Sequence, residues 1–333
     1  MKEYREITSQ ELKALQEELR QQYREVQARG LNLNMARGKP DADQLALSDA
    51  MWTIADASTP MVGEDGMDYR NYGLLFGTRE ARRLMGDIMG VSWENVIVGG
   101  SSSLTMMYDT LMRGMVFGML HSPKPWAACP DRKFLCLVPG YDRHFAITQD
   151  LGFELVAVPL TETGPDMNRV EELVKDPSVK GIWCVPKYSN PSGITYSDEA
   201  VRRLAAMETA APDFTILWDN AYGIHPLYPD APDDLADIFA LAREYGHEDR
   251  VIAFASTSKV TYPGAGIAAL AASSANLDYI ASHMTHQTIG ADKLNMLRHV
   301  LFLQDLDHVK EHMAKHAALL RPKFELVLRM FDE

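Results

Sequence analysis

Short apolar runs recur through the middle of the chain, and helical sequence separates several of them. We expect each run to be a buried strand: NVIVGG (95–100), KFLCLVPG (133–140), FELVAVPL (153–160), VKGIWCVP (179–186), FTILWD (214–219) and RVIAFAST (250–257). Continuous apolar strands that alternate with helices are typical of a mostly parallel sheet covered by helices on both faces. The sequence therefore predicts the α/β fold class.

Helical patterns lie on both sides of this series and within it. Residues 9–28 predict an amphipathic helix, and residues 79–90 and 197–207 predict two more. A long helical stretch from 292 to 330 is expected to break near 305–307 or at Pro322.

Composition excludes several classes of partner. The formal net charge of −13 argues against a broad basic face for nucleic acid, although it leaves room for a small anionic ligand. The sequence has no apolar run of 18 residues, so we expect no membrane span. Its three cysteines lack metal-site or disulfide spacing, which favours a reducing, cytoplasmic location.

Polar and small residues follow the predicted strands. In parallel sheets, ligands collect at the carboxyl ends of the strands. The segments at those ends are Gly100–Ser102, Pro139–Tyr141, Pro186–Asn190, Asp219–Tyr222 and Ser256–Lys259.

These segments together offer an unusual set of groups. Two serines stand at a strand-to-helix turn, where backbone N–H groups favour an anion such as phosphate. The others are the ring of Tyr141, the amide of Asn190, the carboxylate of Asp219, the phenol of Tyr222 and the amine of Lys259. Pyridoxal phosphate (PLP) requires such a lysine, carboxylate, stacking ring and phosphate cup. The sequence therefore predicts a PLP site.

The motifs and their order resemble the class I aminotransferases among the fold-type I PLP-dependent enzymes. The similar motifs are NYGLLFGTREAR, GGSSSL, PGYDRHF, SNPSG, DNAYG and STSK. Three further segments, LNMARGKPD, PKYSNPSG and TIGADKLNMLRHV, resemble a divergent bacterial aspartate aminotransferase subgroup. The resemblance implies a large PLP-binding domain (46–290). It also implies a smaller α/β domain that is incomplete at the C-terminus, built from an N-terminal helix and arm (1–45) and from an interdomain helix with the start of the small domain (291–333).

The resemblance also implies roles for individual residues in catalysis. Lys259 would bond to the cofactor and move a proton, and Asp219 would keep the ring nitrogen protonated. Tyr222 and Asn190 would bond the cofactor's phenolate oxygen. Gly38 would approach the substrate carboxylate with its backbone, and Asn190 would share in binding the substrate.

The remaining implied roles concern the cofactor and a second subunit. His144 would support Asp219, and Tyr141 would stack on the ring. The residues expected at the phosphate are Ser101, Ser102 and Ser256, with Tyr72 supplied by the neighbouring subunit of a homodimer.

Two positions depart from the family pattern. The family's phosphate-binding arginine is replaced by Ile267, eight residues after Lys259. The arginine expected to bind the substrate α-carboxylate would lie beyond Glu333, so we interpret the chain as a fragment, a truncated form or a non-functional allele.

The sequence favours transfer of an amino group from aspartate to 2-oxoglutarate. The choice of aspartate depends on the subgroup resemblance, with Arg37 and Lys39 as candidate carboxylate partners. Alternatives are transamination or β-elimination of another amino acid, an inactive PLP-binding remnant, and a PLP-binding transcription regulator, which would require an N-terminal DNA-binding domain.

A sequence pattern similar to a zinc-binding motif occurs near the C-terminus. HVKEH (308–312), followed by His316, places histidines on one helix face. We expect no metal there, because no third ligand is evident and the helix is predicted to lie away from the strand ends.

Overall fold

A computed structural model describes residues 4–32 and 38–332. The chain divides into two compact units, residues 1–41 and 42–333. In the first unit the predicted N-terminal helix is present as α1 (Ser9–Ala28). Thr8 caps this helix, since its hydroxyl accepts a hydrogen bond from Glu11 N–H at 3.3 Å and its own N–H donates to the Glu11 carboxylate at 2.8 Å. This reciprocal capping fixes where the helix begins.

The second unit contains the sheet and the other helices of the described residues. Its helices are α2 (Ala42–Ala46), α3 (Arg79–Met89), α4 (Ser103–Val116), α5 (Asp142–Asp150), α6 (Met167–Leu173), α7 (Asp198–Ala206), α8 (Ile238–Glu244), α9 (Ser274–Met284), α10 (Lys293–Leu303) and α11 (Leu306–Asp332). Its strands are β1 (Val96–Val98), β2 (Lys133–Val138), β3 (Glu154–Thr161), β4 (Gly164–Pro165), β5 (Val179–Cys184), β6 (Thr215–Asp219), β7 (Val251–Ser256) and β8 (Ala268–Ala272).

These strands form one sheet in the order β1-β8-β7-β6-β5-β2-β3-β4. The pairs from β7 through β6, β5 and β2 to β3 are parallel, which confirms the predicted fold class. Strand β8 runs antiparallel to both β1 and β7, so β1 and β7 point in the same direction. Strand β8 follows β7 and was not among the predicted strands.

Both faces of the sheet are buried. In β2, Leu135 and Leu137 belong to one apolar cluster, and Phe134 and Cys136 belong to another. Because successive side chains of a strand point to opposite faces, the two clusters lie on opposite sides of the sheet. The continuous apolar runs of the sequence reflect this double burial.

The C-terminal helical stretch breaks where one alternative predicted. Helix α10 ends at Leu303 and α11 begins at Leu306, while Gln304 has a φ of 55°. Pro322 lies inside α11 and does not end it. Among the described residues, no helix combines the length and the apolar character that crossing a membrane requires.

Candidate active site

The loop after β1 and the loop after β7 meet at one edge of the sheet. Gly99 N–H donates to the Ala268 carbonyl, and Ala268 N–H donates to the Gly100 carbonyl, each at 2.8 Å. On the β7 side, Ser256 Oγ donates to Ser258 Oγ at 3.1 Å, and Ser258 Oγ donates to the Ser101 carbonyl at 3.4 Å. The predicted serine loops are therefore neighbours.

Ser102 begins helix α4. Its Oγ accepts a hydrogen bond from Leu104 N–H at 3.2 Å, and the helix that follows is 14 residues long. The positive end of the helix dipole therefore faces the serine loops. Ser101, one residue earlier, is exposed. This loop has the character of an anion-binding site.

Asp219 is buried at the end of β6, and only one of its two carboxylate oxygens has a hydrogen-bond partner among the described residues. His144 Nε2 lies 3.1 Å from Asp219 Oδ2, and Trp183 stacks on the imidazole at 4.1 Å between ring centroids with 6° between planes. The predicted hydrogen bond between these two side chains is present. Asp219 Oδ1 is buried and has no hydrogen-bond partner among the described residues. A buried carboxylate oxygen is costly to leave unpaired, so this atom calls for a donor from a bound molecule.

Lys259 follows β7, and its amine lies over the ring of Tyr222. Its Nζ lies 4.8 Å from the centre of the Tyr222 ring. Burial raises the pKa of Tyr222, with further raising effects from the charge of Asp219 and from Tyr141, whereas a hydrogen bond from Asn190 lowers it. These interactions bring together side chains from the loops after four different strands.

Lys259 is exposed in the described chain, although protein atoms surround much of its amine. The surrounding protein atoms desolvate it and lower its pKa, while the charge of Asp219 acts in the opposite direction. Desolvation disfavours the ammonium form, so the neutral amine is more populated than for a lysine in water. A neutral amine is nucleophilic and accepts protons.

Some predicted residues do not join this group. Tyr72 is 78% exposed, so the described chain leaves its ring open to solvent. Gly38 lies in the first unit. Arg37 lies outside the described residues. Ile267 is 1% exposed in the core, and the described structure therefore has an apolar side chain where the family pattern has an arginine.

Three histidines near Lys259 were not predicted to lie there. His225 Nε2 lies 3.3 Å from the Lys259 carbonyl. His312 Nε2 and His316 Nε2 lie 2.8 and 3.0 Å from the Val260 carbonyl. The prediction that the HVKEH helix lies away from the strand ends was therefore wrong. The only sequence signal was the i, i+4 spacing, which identified one helix face but not what that face contacts.

Comparison with known proteins identifies the family of the chain. The family model described as "Aspartate amino-transferase" matches residues 7–333. An aspartate aminotransferase of Corynebacterium glutamicum is 42% identical over 316 residues, which are 95% of this chain and 73% of that protein. The structure of an aspartate transaminase from C. glutamicum has a TM-score of 0.94 and 41% identity, and the match covers 98% of this chain and 76% of that one.

A more distant structure shares the fold. It is LysN, an α-aminoadipate aminotransferase from Thermus thermophilus solved with N-(5'-phosphopyridoxyl)-L-leucine, with a TM-score of 0.70, 22% identity, and coverage of 89% of this chain and 70% of that one. The family match over residues 7–333 and the identity above 40% to the Corynebacterium proteins are decisive. This chain therefore belongs to the aspartate aminotransferase family, among the fold-type I PLP-dependent aminotransferases.

Proposed function

We propose that this protein transfers the amino group of L-aspartate to 2-oxoglutarate, with PLP bound at Lys259. The observation that carries the PLP site is the buried, unpaired Oδ1 of Asp219 in the same group of loops as the Lys259 amine. The choice of aspartate is supported by 42% identity to a C. glutamicum protein named as an aspartate aminotransferase.

The side chains at the site fit PLP. A protonated pyridine nitrogen would be the donor that Asp219 Oδ1 lacks, and the ion pair would be strong because the Asp219 side chain is 6% exposed. Tyr222 and Asn190 would hold the phenolate oxygen, and Tyr141 would stack on the ring. Ser101, Ser102 and Ser256, with the start of α4, would hold the phosphate in place of the arginine missing at Ile267.

The chemistry divides between the cofactor and the protein. When bound, PLP would supply an electron sink for the bonds at the substrate Cα and would carry the amino group from the first half-reaction to the second. Asp219 would place its carboxylate beside the ring nitrogen, and His144 would orient that carboxylate through its hydrogen bond to Oδ2. The Lys259 amine takes the proton from the substrate Cα, because its lowered pKa gives it a larger neutral fraction.

Transamination then proceeds in two half-reactions at the same side chains. In the first, aspartate gives up its amino group and leaves as oxaloacetate. In the second, 2-oxoglutarate accepts that amino group and leaves as glutamate. The amide of Asn190 would bind the substrate carboxylate, and the exposed Tyr72 would reach the phosphate in a partner subunit of a homodimer.

Borohydride reduction tests the proposal. The protein would be incubated with PLP, reduced and mapped by peptide mass spectrometry, and the label should lie on Lys259. Lys259→Ala should remove both the label and the transaminase activity, while Lys187→Ala, a matched loop lysine, should keep both. Label on a different lysine would overturn the proposed site.

A panel of amino donors tests the substrate. Aspartate with 2-oxoglutarate should give the highest kcat/KM, with oxaloacetate and glutamate formed in equal amounts. A higher kcat/KM with an aromatic or neutral donor, or release of ammonia without glutamate, would instead indicate another transamination or a β-elimination.

A further inference from the structure

Three imidazoles hold the backbone at the base of Lys259. His225 bonds the Lys259 carbonyl at 3.3 Å, while His312 and His316 both bond the Val260 carbonyl, at 2.8 and 3.0 Å. His225 comes from the loop after β6, and the other two lie one turn apart on α11. We call these three residues the histidine clamp.

The acceptors determine which imidazole nitrogen carries hydrogen. A carbonyl oxygen only accepts, so each Nε2 of the histidine clamp must be protonated. The His312 and His316 Nε2 atoms are 3.3 Å apart, and neither then has a lone pair for the other. The Nδ1 atoms of His225 and His316 are buried and lack partners among the described residues. Buried polar atoms without partners lower the free energy of unfolding, so packing alone does not account for the burial of these imidazoles.

The clamped carbonyls belong to a tight turn. The N–H groups of Val260 and Thr261 both donate to the Thr257 carbonyl at 2.9 Å, which closes the turn on its amide side. The histidine clamp binds the Lys259 and Val260 carbonyl groups of the same turn. The Val260 side chain is fully buried in a small apolar cluster with Val309 and Met313 of α11. Helix α11 therefore contacts this turn both at the Val260 side chain and at the Val260 carbonyl.

We propose that His225, His312 and His316 are positioning residues that hold the Lys259–Val260 backbone so that the Lys259 amine is directed at the Tyr222 and Asp219 side chains. The inference rests on the proposed function, in which Lys259 carries the cofactor. Loss of the clamp would leave Lys259 in place but widen the range of positions its amine occupies. Small displacements of a reacting group reduce rate strongly, which sets the expected size of the effect.

The test uses matched replacements in the full chain. His312→Leu with His316→Leu removes both donors at similar volume, and His312→Gln with His316→Gln keeps an N–H of similar reach. His247→Leu is the control, since His247 Nδ1 bonds the Ala205 carbonyl at 2.9 Å, an equivalent contact to a residue of α7. For each protein, we would measure the PLP dissociation constant, kcat and KM. In the protein without PLP, the pH dependence of amine labelling at Lys259 would also be followed.

We expect the double leucine variant to bind PLP about tenfold more weakly and to lose about tenfold or more in kcat, with KM for aspartate little changed. The midpoint of Lys259 labelling should move toward the pH of an ordinary lysine, because a looser side chain reaches solvent. The glutamine pair should recover most of each loss, and His247→Leu should match the wild type.

The outcomes separate the two hypotheses. If the PLP label in the wild-type protein lies on a lysine other than Lys259, the proposed function is wrong. The histidine-clamp proposal alone is wrong if two results occur together. The PLP label in the wild type lies on Lys259, and a folded double leucine variant keeps the labelling midpoint, the PLP affinity and kcat unchanged. If circular dichroism shows that the double leucine variant does not fold, His225→Leu carries the same expectations, because it removes the donor to the Lys259 carbonyl from a loop.

Discussion

His144 and Asp219 form a pair in which only one carboxylate oxygen is used. The His144 Nε2 atom lies 3.1 Å from Asp219 Oδ2, and Oδ1 remains without a partner among the described residues. The two residues come from α5 and the end of β6, 75 positions apart. Because the imidazole is stacked on Trp183, its position is fixed independently of the carboxylate.

His144→Phe separates the hydrogen bond from the stacking. The phenyl ring can keep the contact with Trp183 but donates nothing to Asp219. We expect kcat to fall about tenfold to a hundredfold, the range set by losing a hydrogen bond to a charged group. Steady-state kinetics with aspartate would measure the loss. His144→Gln, which keeps a donor, should lose less; equal losses in both variants would contradict a role for the hydrogen bond.

Subunit mixing tests whether Tyr72 serves a neighbouring site. Lys259→Ala and Tyr72→Ala should each be nearly inactive alone. In a mixed dimer, one site combines the intact Lys259 of one chain with the intact Tyr72 of the other. Activity should therefore appear when the two variants are unfolded, mixed and refolded together. Its absence from such mixtures, at a mass corresponding to a dimer in light scattering, would show that Tyr72 acts within its own chain or not at all.

Much of this site follows from the sequence because its residues directly succeed apolar strands. A parallel sheet brings the carboxyl ends of its strands to one edge, so the strand pattern alone places Asp219 and Lys259 together. Strand β8 carried no such signal, because its sequence AALAA lacks the β-branched and aromatic residues that favour strands.

The histidine clamp illustrates a different limit. His312 contacts Val260 across 52 residues, and His225 contacts Lys259 across 34. The packing of α11 against the turn after β7 decides these contacts, and local periodicity reports only which residues share a helix face. The sequence therefore predicts Lys259 as the reactive lysine but does not predict the groups that contact its backbone.

Ile267→Arg tests whether the missing arginine can simply be restored. Ile267 is 1% exposed, and its backbone exchanges hydrogen bonds of 2.9 Å with Thr257. A guanidinium at this position would be buried in the core, so we expect the free energy of unfolding to fall by on the order of 3 kcal/mol or more. Urea denaturation measures this. Ile267→Val should cost only about 1 kcal/mol. Tighter PLP binding by a stable arginine variant would show instead that the side chain reaches the phosphate.

The histidine clamp also predicts how stability depends on pH. Burial, with the nearby charge of Lys259, lowers the pKa of His225 to about 3, and burial lowers the pKa values of His312 and His316. In the unfolded chain these imidazoles titrate near pH 6.5, so between that pH and the lower folded pKa values the unfolded state binds more protons. The stability from neutral imidazoles is therefore complete above about pH 6.5 and is lost as the pH falls, by about 1.4 kcal/mol per pH unit for each proton taken up.

Urea unfolding between pH 7 and 5.5 measures this slope in a range where carboxylates contribute little. His225→Phe should reduce the slope by up to one proton, because the phenyl ring has no proton to bind. His121→Phe is the matched control, since His121 is an exposed histidine paired with Asp249 at 2.8 Å. The His121→Phe variant should keep the wild-type slope. Equal slopes in the wild type and in His225→Phe would mean that His225 titrates alike in the folded and unfolded chains, and that its imidazole is not held neutral beside Lys259.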